Sequence, residues 1–299
     1  MIETSTTIPT KRLQNGFEMP VYGFGLWNVG GRREREEDRD DEGVEAIRQA
    51  IGMGITHIDT AESYGQGHSE ELLGEAIEGH DRQNLFLATK VKPEHQSYDD
   101  IIAACEASLN RIGTDYIDLY MLHRFPAPGI NIADTMRALD QLVQRGLVKN
   151  IGLSNVTAHR FEVAQSFSEN TIVANQVHYN VQHRETELRG VIKHAQENDT
   201  MLVAYRPLQK GELPESAIVT ELANKYGKTP AQISLNWLIM QKNVVTLSRT
   251  VKREHLIENL GALGWEMDPE DVERIRQEFP DQQTVSDTGP LDYASDTEV

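Results

Sequence analysis

Apolar residues along this chain alternate between two patterns, short runs typical of buried strands and longer stretches with helical spacing. The short runs predict strands at residues 23–27, 56–60, 85–90, 117–123, 148–154, 172–177, 201–205 and 244–247. Apolar positions that recur every three or four residues predict helices around residues 44–51, 68–79, 98–112, 132–145, 157–167, 186–198, 215–226, 230–241, 253–263 and 269–278. Strands and helices therefore alternate along the whole chain.

Eight strands separated by helices predict an α/β protein with a parallel sheet. A closed (β/α)8 TIM barrel typically takes about 250 residues in one domain, and this chain has 299. No composition break or linker-like stretch divides the chain, so we predict a single barrel domain over residues 1–299.

Two segments lie outside the repeating units. Residues 11–22 predict an N-terminal β-hairpin, in which the Asn15-Gly16 pair favours a type I′ turn. At the other end, residues 269–278 predict an extra helix, and residues 279–299 form a polar C-terminal tail without lysine or arginine. The pattern leaves open whether this tail is disordered or folds over the barrel mouth.

Charge and cysteine content narrow the class of protein. The chain has 29 basic and 47 acidic residues and a formal charge of −18, which argues against nucleic acid or an anionic membrane as a partner. A saline cytoplasm would also favour an acidic surface, and composition does not decide this. The single cysteine, Cys105, excludes an intramolecular disulfide. With no signal-peptide pattern and no membrane-spanning apolar run, we expect a monomeric cytoplasmic protein.

Four titratable residues are expected to meet at one face of the barrel. Asp59 ends the second strand, Tyr64 follows in its loop, Lys90 ends the third strand and His123 ends the fourth. Catalytic groups of such barrels lie at the carboxyl ends of the strands. A lysine ammonium near the phenol should lower its pKa from the usual value of about 10, while Asp59 orients the lysine. His123 could then direct a carbonyl oxygen towards Tyr64, which suits carbonyl reduction if a hydride source binds nearby.

Less specific interpretations compete with this one. Asp59 and Lys90 could form a structural ion pair only, and we assign His57, which shares their face of the strand, to packing. A Rossmann motif fails because Asn28 stands at the third glycine position after Gly23 and Gly25. The remaining histidines lack zinc-binding spacing, so no metal is expected; they include His95, His159, His178, His183 and His194.

Together with their surroundings, these residues resemble the aldo-keto reductase family. The matching segments occur in order between about residues 10 and 278 and make the resemblance highly specific. They are Gly23-x-Gly25-Leu26-Trp27, Asp59-Thr-Ala-x-x-Tyr64-Gly, Lys90 after an apolar strand, His123 after Leu-Tyr-Met-Leu, Gly146-Leu-Val-Lys-x-Ile-Gly-Leu-Ser154-Asn155, Asn175-Gln176-Val-x-Tyr179-Asn180, Tyr205-x-Pro207-Leu208 and His255-Leu-x-Glu258-Asn259.

The resemblance implies a barrel that binds NADPH in extended form. It implies that Tyr64 is the general acid, and that Trp27, Tyr64 and His123 line the substrate pocket. Tyr205 would stack on the nicotinamide ring. The other residues assigned to the nicotinamide and its approach are Gly25, Leu26, Asp59, Ser154, Asn155, Gln176, Pro207 and Leu208.

At the adenosine end the chain departs from the family pattern. Arg249, Thr250 and His255 match positions near the 2′-phosphate, and Glu258 and Asn259 match adenine contacts. A lysine is common in the family where Arg249 stands, and an arginine where His255 stands. Arg249 can still bind a phosphate with two hydrogen bonds, so NADPH is expected, with some use of NADH.

The sequence thus predicts NADPH-dependent reduction of an aldehyde or ketone to an alcohol. Two alternatives remain on the same fold: a barrel aldolase in which Lys90 forms a Schiff base, and a non-catalytic subunit that senses the cofactor. The substrate itself is not predicted, because it depends on loops at residues 124–131 and 207–214 and on the tail.

Overall fold

Eight parallel strands close into a barrel in the computed structural model, which describes residues 7–287 and 289–291. A hairpin of β1 (Thr10–Arg12) and β2 (Glu18–Pro20) precedes it. The barrel strands are β3 (Tyr22–Gly25), β4 (His57–Asp59), β5 (Phe86–Val91), β6 (Leu119–Leu122), β7 (Ile151–Ser154), β8 (Ile172–His178), β9 (Met201–Tyr205) and β10 (Val244–Ser248). Each pairs with the next in chain order and β10 pairs with β3, so the predicted (β/α)8 barrel is confirmed.

Helices surround this barrel on its outer side. They are α1 (Asp40–Gly52), α2 (His68–Ile77), α3 (Tyr98–Ile112), α4 (Ile132–Gln144), α5 (Ala158–Ser166), α6 (Glu185–Leu188), α7 (Val191–Glu197), α8 (Ala217–Tyr226), α9 (Pro230–Ile239), α10 (Arg253–Leu260) and α11 (Pro269–Glu278). Their apolar stripes pack on the sheet; in α4, for example, Met136, Leu139 and Leu142 are fully buried. Within the described residues, no helix has the length and apolar character needed to cross a bilayer.

The N-terminal hairpin closes the bottom of the barrel. Its Leu13, Phe17 and Met19 pack against interior residues such as Met121 and Met201. The Lys11 ammonium donates to the carbonyl oxygen of Val244, where β10 begins, at 2.7 Å. With that end filled by apolar side chains, the opening lies at the carboxyl ends of the strands.

The hairpin turn differs from the predicted type I′ turn. Only Gly16 has a positive φ, at 93°, whereas a type I′ turn requires it of Asn15 as well. The Gly16 amide donates to Leu13 O at 3.0 Å, and the Leu13 amide donates to Phe17 O at 2.9 Å. This three-residue loop is typical of a type I turn followed by a left-handed glycine.

The helix predicted over residues 186–198 is also wrong in part, because the chain forms two short helices there. Helix α6 ends at Leu188, and α7 begins at Val191. Gly190 between them has a φ of 70°, a left-handed conformation that glycine adopts without steric cost and that ends a helix. Apolar spacing continues through the break, which is why periodicity alone misses it.

The described part of the C-terminal tail lies across the barrel mouth. Gln283 exchanges backbone hydrogen bonds with the segment after β8, donating to Gln182 O at 2.8 Å and accepting from Arg184 N at 2.9 Å. The Ser286 amide donates to the Glu185 carboxylate at 2.9 Å, and Leu291 is buried. Residues 279–287 and 289–291 therefore fold over the barrel mouth, which is one of the two possibilities that the sequence left open. Thr288 and residues 292–299 lie outside the described residues.

His57 is a buried histidine that should make the fold sensitive to acid. Its ring packs edge-on against Phe86 with centroids 5.2 Å apart, and neither ring nitrogen has a hydrogen-bond partner. The His57 ring needs a glycine at position 23, because a β-carbon on Gly23 would lie only 2.3 Å from His57 Nδ1. Burial lowers the pKa of His57 from 6.5 to about 4.

We therefore predict that the free energy of unfolding falls as pH drops from 6.5 towards 4. Over that window the unfolded state binds a proton at His57 that the folded state does not, at about 1.4 kcal/mol per pH unit. In urea unfolding at pH 7.5 and 4.5, His57→Leu should reduce the loss of stability by roughly 2 kcal/mol. His80→Leu, at an exposed site, is the control. An equal acid loss in wild type and His57→Leu would contradict the prediction.

Candidate active site

The strand ends bring the four expected catalytic residues to the open end of the barrel. Asp59 is the last residue of β4, Lys90 is the penultimate residue of β5, and His123 directly follows β6. Tyr64 begins a 3-10 turn, Tyr64–Gly67, in the loop after β4. Residues that lie up to 64 positions apart in the chain, from Asp59 to His123, thus lie at the same end of the barrel.

Lys90 and Asp59 form a buried ion pair. Lys90 Nζ donates to Asp59 Oδ1 and to the carbonyl oxygen of Thr60, both at 2.6 Å, and neither side chain is more than 3% exposed. The second carboxylate oxygen accepts from Gln176 Nε2 at 2.8 Å. Burial lowers the pKa of Lys90, and the charge of Asp59 opposes that shift. The pair therefore has its hydrogen bonds satisfied within the protein.

Tyr64 lies beside this pair, but its pKa moves in the direction opposite to our expectation. Lys90 Nζ is 5.3 Å from the centroid of the phenol ring. Burial raises the pKa of Tyr64, and the negative charge of Asp59 raises it further. The predicted lowering by Lys90 is wrong because the ammonium is already paired with Asp59 and because burial disfavours the phenolate. Tyr64 consequently keeps its proton at neutral pH.

His123 faces the phenol as a neutral imidazole. The two rings meet edge to face, with centroids 5.6 Å apart and an interplanar angle of 75°. Burial, followed by the charges of Lys90 and Arg124, lowers the pKa of His123 to about 3. The Ser63 hydroxyl lies 3.2 Å from Nδ1 and can donate to it. In that arrangement Nε2 carries the proton and can donate to a carbonyl oxygen.

The residues assigned to the nicotinamide form a connected group at the next three strand ends. Ser154 Oγ donates to Gln176 O at 2.9 Å, and Asn155 Nδ2 donates to Ser154 Oγ at 2.9 Å. Tyr205 OH donates to Asn155 Oδ1 at 2.8 Å. One face of the Tyr205 ring stacks on His178, with centroids 5.4 Å apart. The geometry leaves the opposite face of Tyr205 as the one on which a flat ring could stack.

The residues assigned to the surroundings of the nicotinamide site are close-packed. Leu26 is fully buried, and its amide donates to Asp59 O at 2.8 Å. A β-carbon on Gly25 would lie 2.8 Å from the Leu247 side chain. In the loop after β9, Pro207 is buried and Leu208 packs on the core cluster that contains Leu26.

The proposed adenosine end forms a second group after β10. Asn259 is buried and donates to Ser248 Oγ at 3.1 Å, while Glu258 beside it is half-buried. The Thr250 hydroxyl lies 3.4 Å from His255 Nδ1. Arg249 is half-buried, and its Nε has no hydrogen-bond partner although it is buried. Burial and the nearby cations Arg39 and Arg32 lower the pKa of Arg249, and the charge of Glu42 opposes that shift.

Sequence spacing missed a cluster that only the tail creates. His178, His183 and Asp287 bring potential metal-binding atoms within 4.8 Å of one another. The Ser286 hydroxyl lies 2.6 Å from His178 Nδ1, and Arg206 Nη1 lies 3.6 Å from Asp287 Oδ1. Because the Arg206 guanidinium already lies near the Asp287 carboxylate, we assign this cluster to packing of the tail. That the protein binds no metal stays a prediction.

Comparisons with known proteins agree on one family. The family model described as "Aldo/keto reductase family" matches residues 22–278. A glyoxal reductase of Bacillus subtilis is 35% identical over 269 residues, which cover 89% of this chain and 91% of the relative. A thermostable aldo-keto reductase solved with the inhibitor epalrestat is 40% identical with a TM-score of 0.87, covering 90% of this chain and 99% of that one. A Klebsiella pneumoniae aldo/keto reductase solved with NADP and acetate is 29% identical with a TM-score of 0.82, covering 95% and 98%.

Proposed function

This chain belongs to the aldo/keto reductase family, and from that premise we propose that it reduces an aldehyde or ketone to an alcohol with NADPH. The observation that carries the proposal is the protonated Tyr64 phenol, which lies at the barrel mouth beside the Lys90–Asp59 pair and edge-on to His123. When bound, NADPH supplies a hydride for the carbonyl carbon. The oxygen then needs a proton, and Tyr64 is placed to give it.

Each residue has a defined task in that step. His123 Nε2–H holds the carbonyl oxygen and polarises it. Tyr64 transfers its proton to the oxygen as negative charge develops there, so its high pKa keeps the acid in the correct protonation state. The Lys90 ammonium, 5.3 Å from the ring centroid and held by Asp59 at 2.6 Å, is the cation that can offset part of the cost that burial places on the phenolate.

The residues at the adenosine end fit a phosphate-bearing cofactor. The buried Nε of Arg249 has no hydrogen-bond partner among the described residues, and Arg32 and Arg39 lie near it, although Glu42 pairs with Arg39. A 2′-phosphate would satisfy that nitrogen with a charge-assisted hydrogen bond. Ser154, Asn155, Gln176 and Tyr205 would hold the nicotinamide end.

One assay tests the proposal directly: oxidation of NADPH and of NADH, followed at 340 nm, across a panel of aldehydes, ketones and keto acids. We expect turnover with aldehydes and a preference for NADPH. If no carbonyl compound is reduced with either cofactor while NADPH still binds, the chain is a cofactor-sensing subunit instead. Borohydride trapping of a substrate on Lys90 would favour the aldolase, which the burial of Lys90 and its bonds to Asp59 and Thr60 disfavour. The monomeric cytoplasmic state stays a prediction.

Arg249 gives a sharper test of the cofactor. We predict that Arg249→Met raises the KM for NADPH by roughly 10- to 100-fold, because a charge-assisted hydrogen bond to phosphate is lost. The KM for NADH should change little, since NADH has no 2′-phosphate. Steady-state kinetics with both cofactors measures the two values. An equal rise for NADH and NADPH would contradict the assignment of Arg249 to the phosphate.

A further inference from the structure

Four cations gather at the barrel mouth of a chain whose formal charge is −18. Three of them surround the Trp27 ring: Arg32 at 5.0 Å, Arg206 at 5.7 Å and Lys210 at 4.9 Å from its centroid. The fourth, Arg124, follows His123 in the chain. A local cluster of basic side chains in a protein of negative net charge attracts anions to that place.

Arg124 is the member of this group nearest to the proposed chemistry. Gly289, which precedes the tail residue Pro290, lies against Tyr205, since a β-carbon on Gly289 would be 1.9 Å from the Tyr205 hydroxyl oxygen. Burial lowers the pKa of His123 and raises that of Tyr205, and the charge of Arg124 adds to the first shift and opposes the second. Its side-chain hydrogen bond runs from Nη1 to the carbonyl oxygen of Pro290 in the tail, at 3.3 Å. Among the residues that the structure describes, no carboxylate lies within 4.0 Å of its charged nitrogens. A half-buried arginine here therefore has most of its donors available.

The other cations have different neighbours. Arg206 lies 3.6 Å from Asp287 Oδ1, and its charge is partly balanced there. Lys210 and Arg32 lie over Trp27, but both side chains are exposed to solvent, which screens their charge. Arg124 is half-buried and directly follows His123 in the chain, so it is the cation of this group that lies beside the proposed chemistry.

We propose that Arg124 binds an anionic group of the substrate, so that this enzyme prefers carbonyl compounds that carry a carboxylate or a phosphate ester. This inference rests on the proposed carbonyl reduction. The planar guanidinium presents paired N–H donors that match either oxyanion. An anion held by Arg124 leaves the carbonyl end of the molecule free to reach His123 and Tyr64.

Matched substrates test the proposal. We would compare kcat/KM with NADPH for 4-oxobutanoate against butanal, 5-oxopentanoate against pentanal, and glyceraldehyde 3-phosphate against glyceraldehyde. In at least one pair the anionic member should be preferred by about 10- to 100-fold, the range expected for a charge-assisted hydrogen bond. The carboxylate and phosphate pairs distinguish the two sources of the anion. The preference should weaken as salt is added.

Variants separate recognition from structure. Arg124→Gln should abolish the preference, and Arg124→Lys should retain part of it because the charge remains but the paired donors do not. Arg137→Gln, at an exposed arginine of α4, is the control and should keep the wild-type ratio. If Arg124→Gln lowers kcat/KM for charged and neutral substrates alike, Arg124 only supports the tail and the proposal is overturned. Equal wild-type rates within every pair would also overturn it while leaving carbonyl reduction intact, whereas no turnover at all would reject the proposed function itself.

Discussion

Tyr64→Phe should lower kcat for aldehyde reduction by ~10²- to 10⁴-fold, the usual contribution of a positioned general acid. The substitution removes one hydroxyl from a partly buried ring and keeps the ring itself, so the contacts with His123 and the Lys90 ammonium persist. Stopped-flow and steady-state measurements of NADPH oxidation give the effect. Cofactor binding, measured by quenching of protein fluorescence, should be unchanged because the phenol oxygen is not assigned to the cofactor.

Tyr120→Phe is a matched control for this experiment. Tyr120 is fully buried in a different part of the core, and its hydroxyl has no hydrogen-bond partner. Removing that hydroxyl should leave turnover at the wild-type level. Wild-type turnover in Tyr64→Phe would eliminate Tyr64 as the proton donor, and a loss in both variants would point to a general effect of removing buried hydroxyls.

Lys90→Met should damage both the fold and the reaction. It leaves the Asp59 carboxylate buried without its cation, and breaking a buried pair in this way costs about 3–5 kcal/mol. Urea unfolding measures that loss. We also expect kcat to fall, because no cation remains to stabilise the phenolate that Tyr64 becomes after it gives up its proton.

A double variant separates these two effects. Asp59→Asn combined with Lys90→Met removes both charges, so most of the lost stability should return, since neutral replacement of a buried pair is often tolerated. Turnover should remain low, because the stabilising cation is still missing. Recovery of both stability and turnover would mean that Lys90 and Asp59 serve the fold only, which is the structural interpretation weighed from the sequence.

The barrel and the strand ends were predictable because both follow from local pattern. Apolar runs such as residues 117–123 mark strands that are buried on both faces, and alternation with helices leaves few topologies. The position of Lys90 near the end of such a run was enough to place it at the mouth. The same reasoning failed at Gly190, where one backbone torsion ends a helix, and at Asn15, where one backbone torsion sets the type of turn. The apolar pattern carries no information about either torsion.

The site was predictable as a set of residues but not as an electrostatic system. Sequence could place a cation near Tyr64, yet the sign of the pKa shift depends on the 2.6 Å contact between Lys90 and Asp59 and on the burial of the phenol. Likewise, nothing in the spacing of His178 and His183 indicated that Asp287 would join them. Those contacts depend on how the tail crosses the mouth, and the tail has no periodic pattern.

The amino-acid sequence by itself determined the barrel, the order of its strands and the group formed by Asp59, Tyr64, Lys90 and His123, because periodic burial and strand-end position are properties of local sequence. Tertiary structure alone decided that the pKa of Tyr64 rises, that the described part of the tail crosses the mouth, and that no carboxylate among the described residues lies within 4.0 Å of the charged nitrogens of Arg124. These outcomes depend on distances between groups far apart in the chain and on burial. Coulombic and desolvation energies depend on those two quantities, which become known only when the chain is folded.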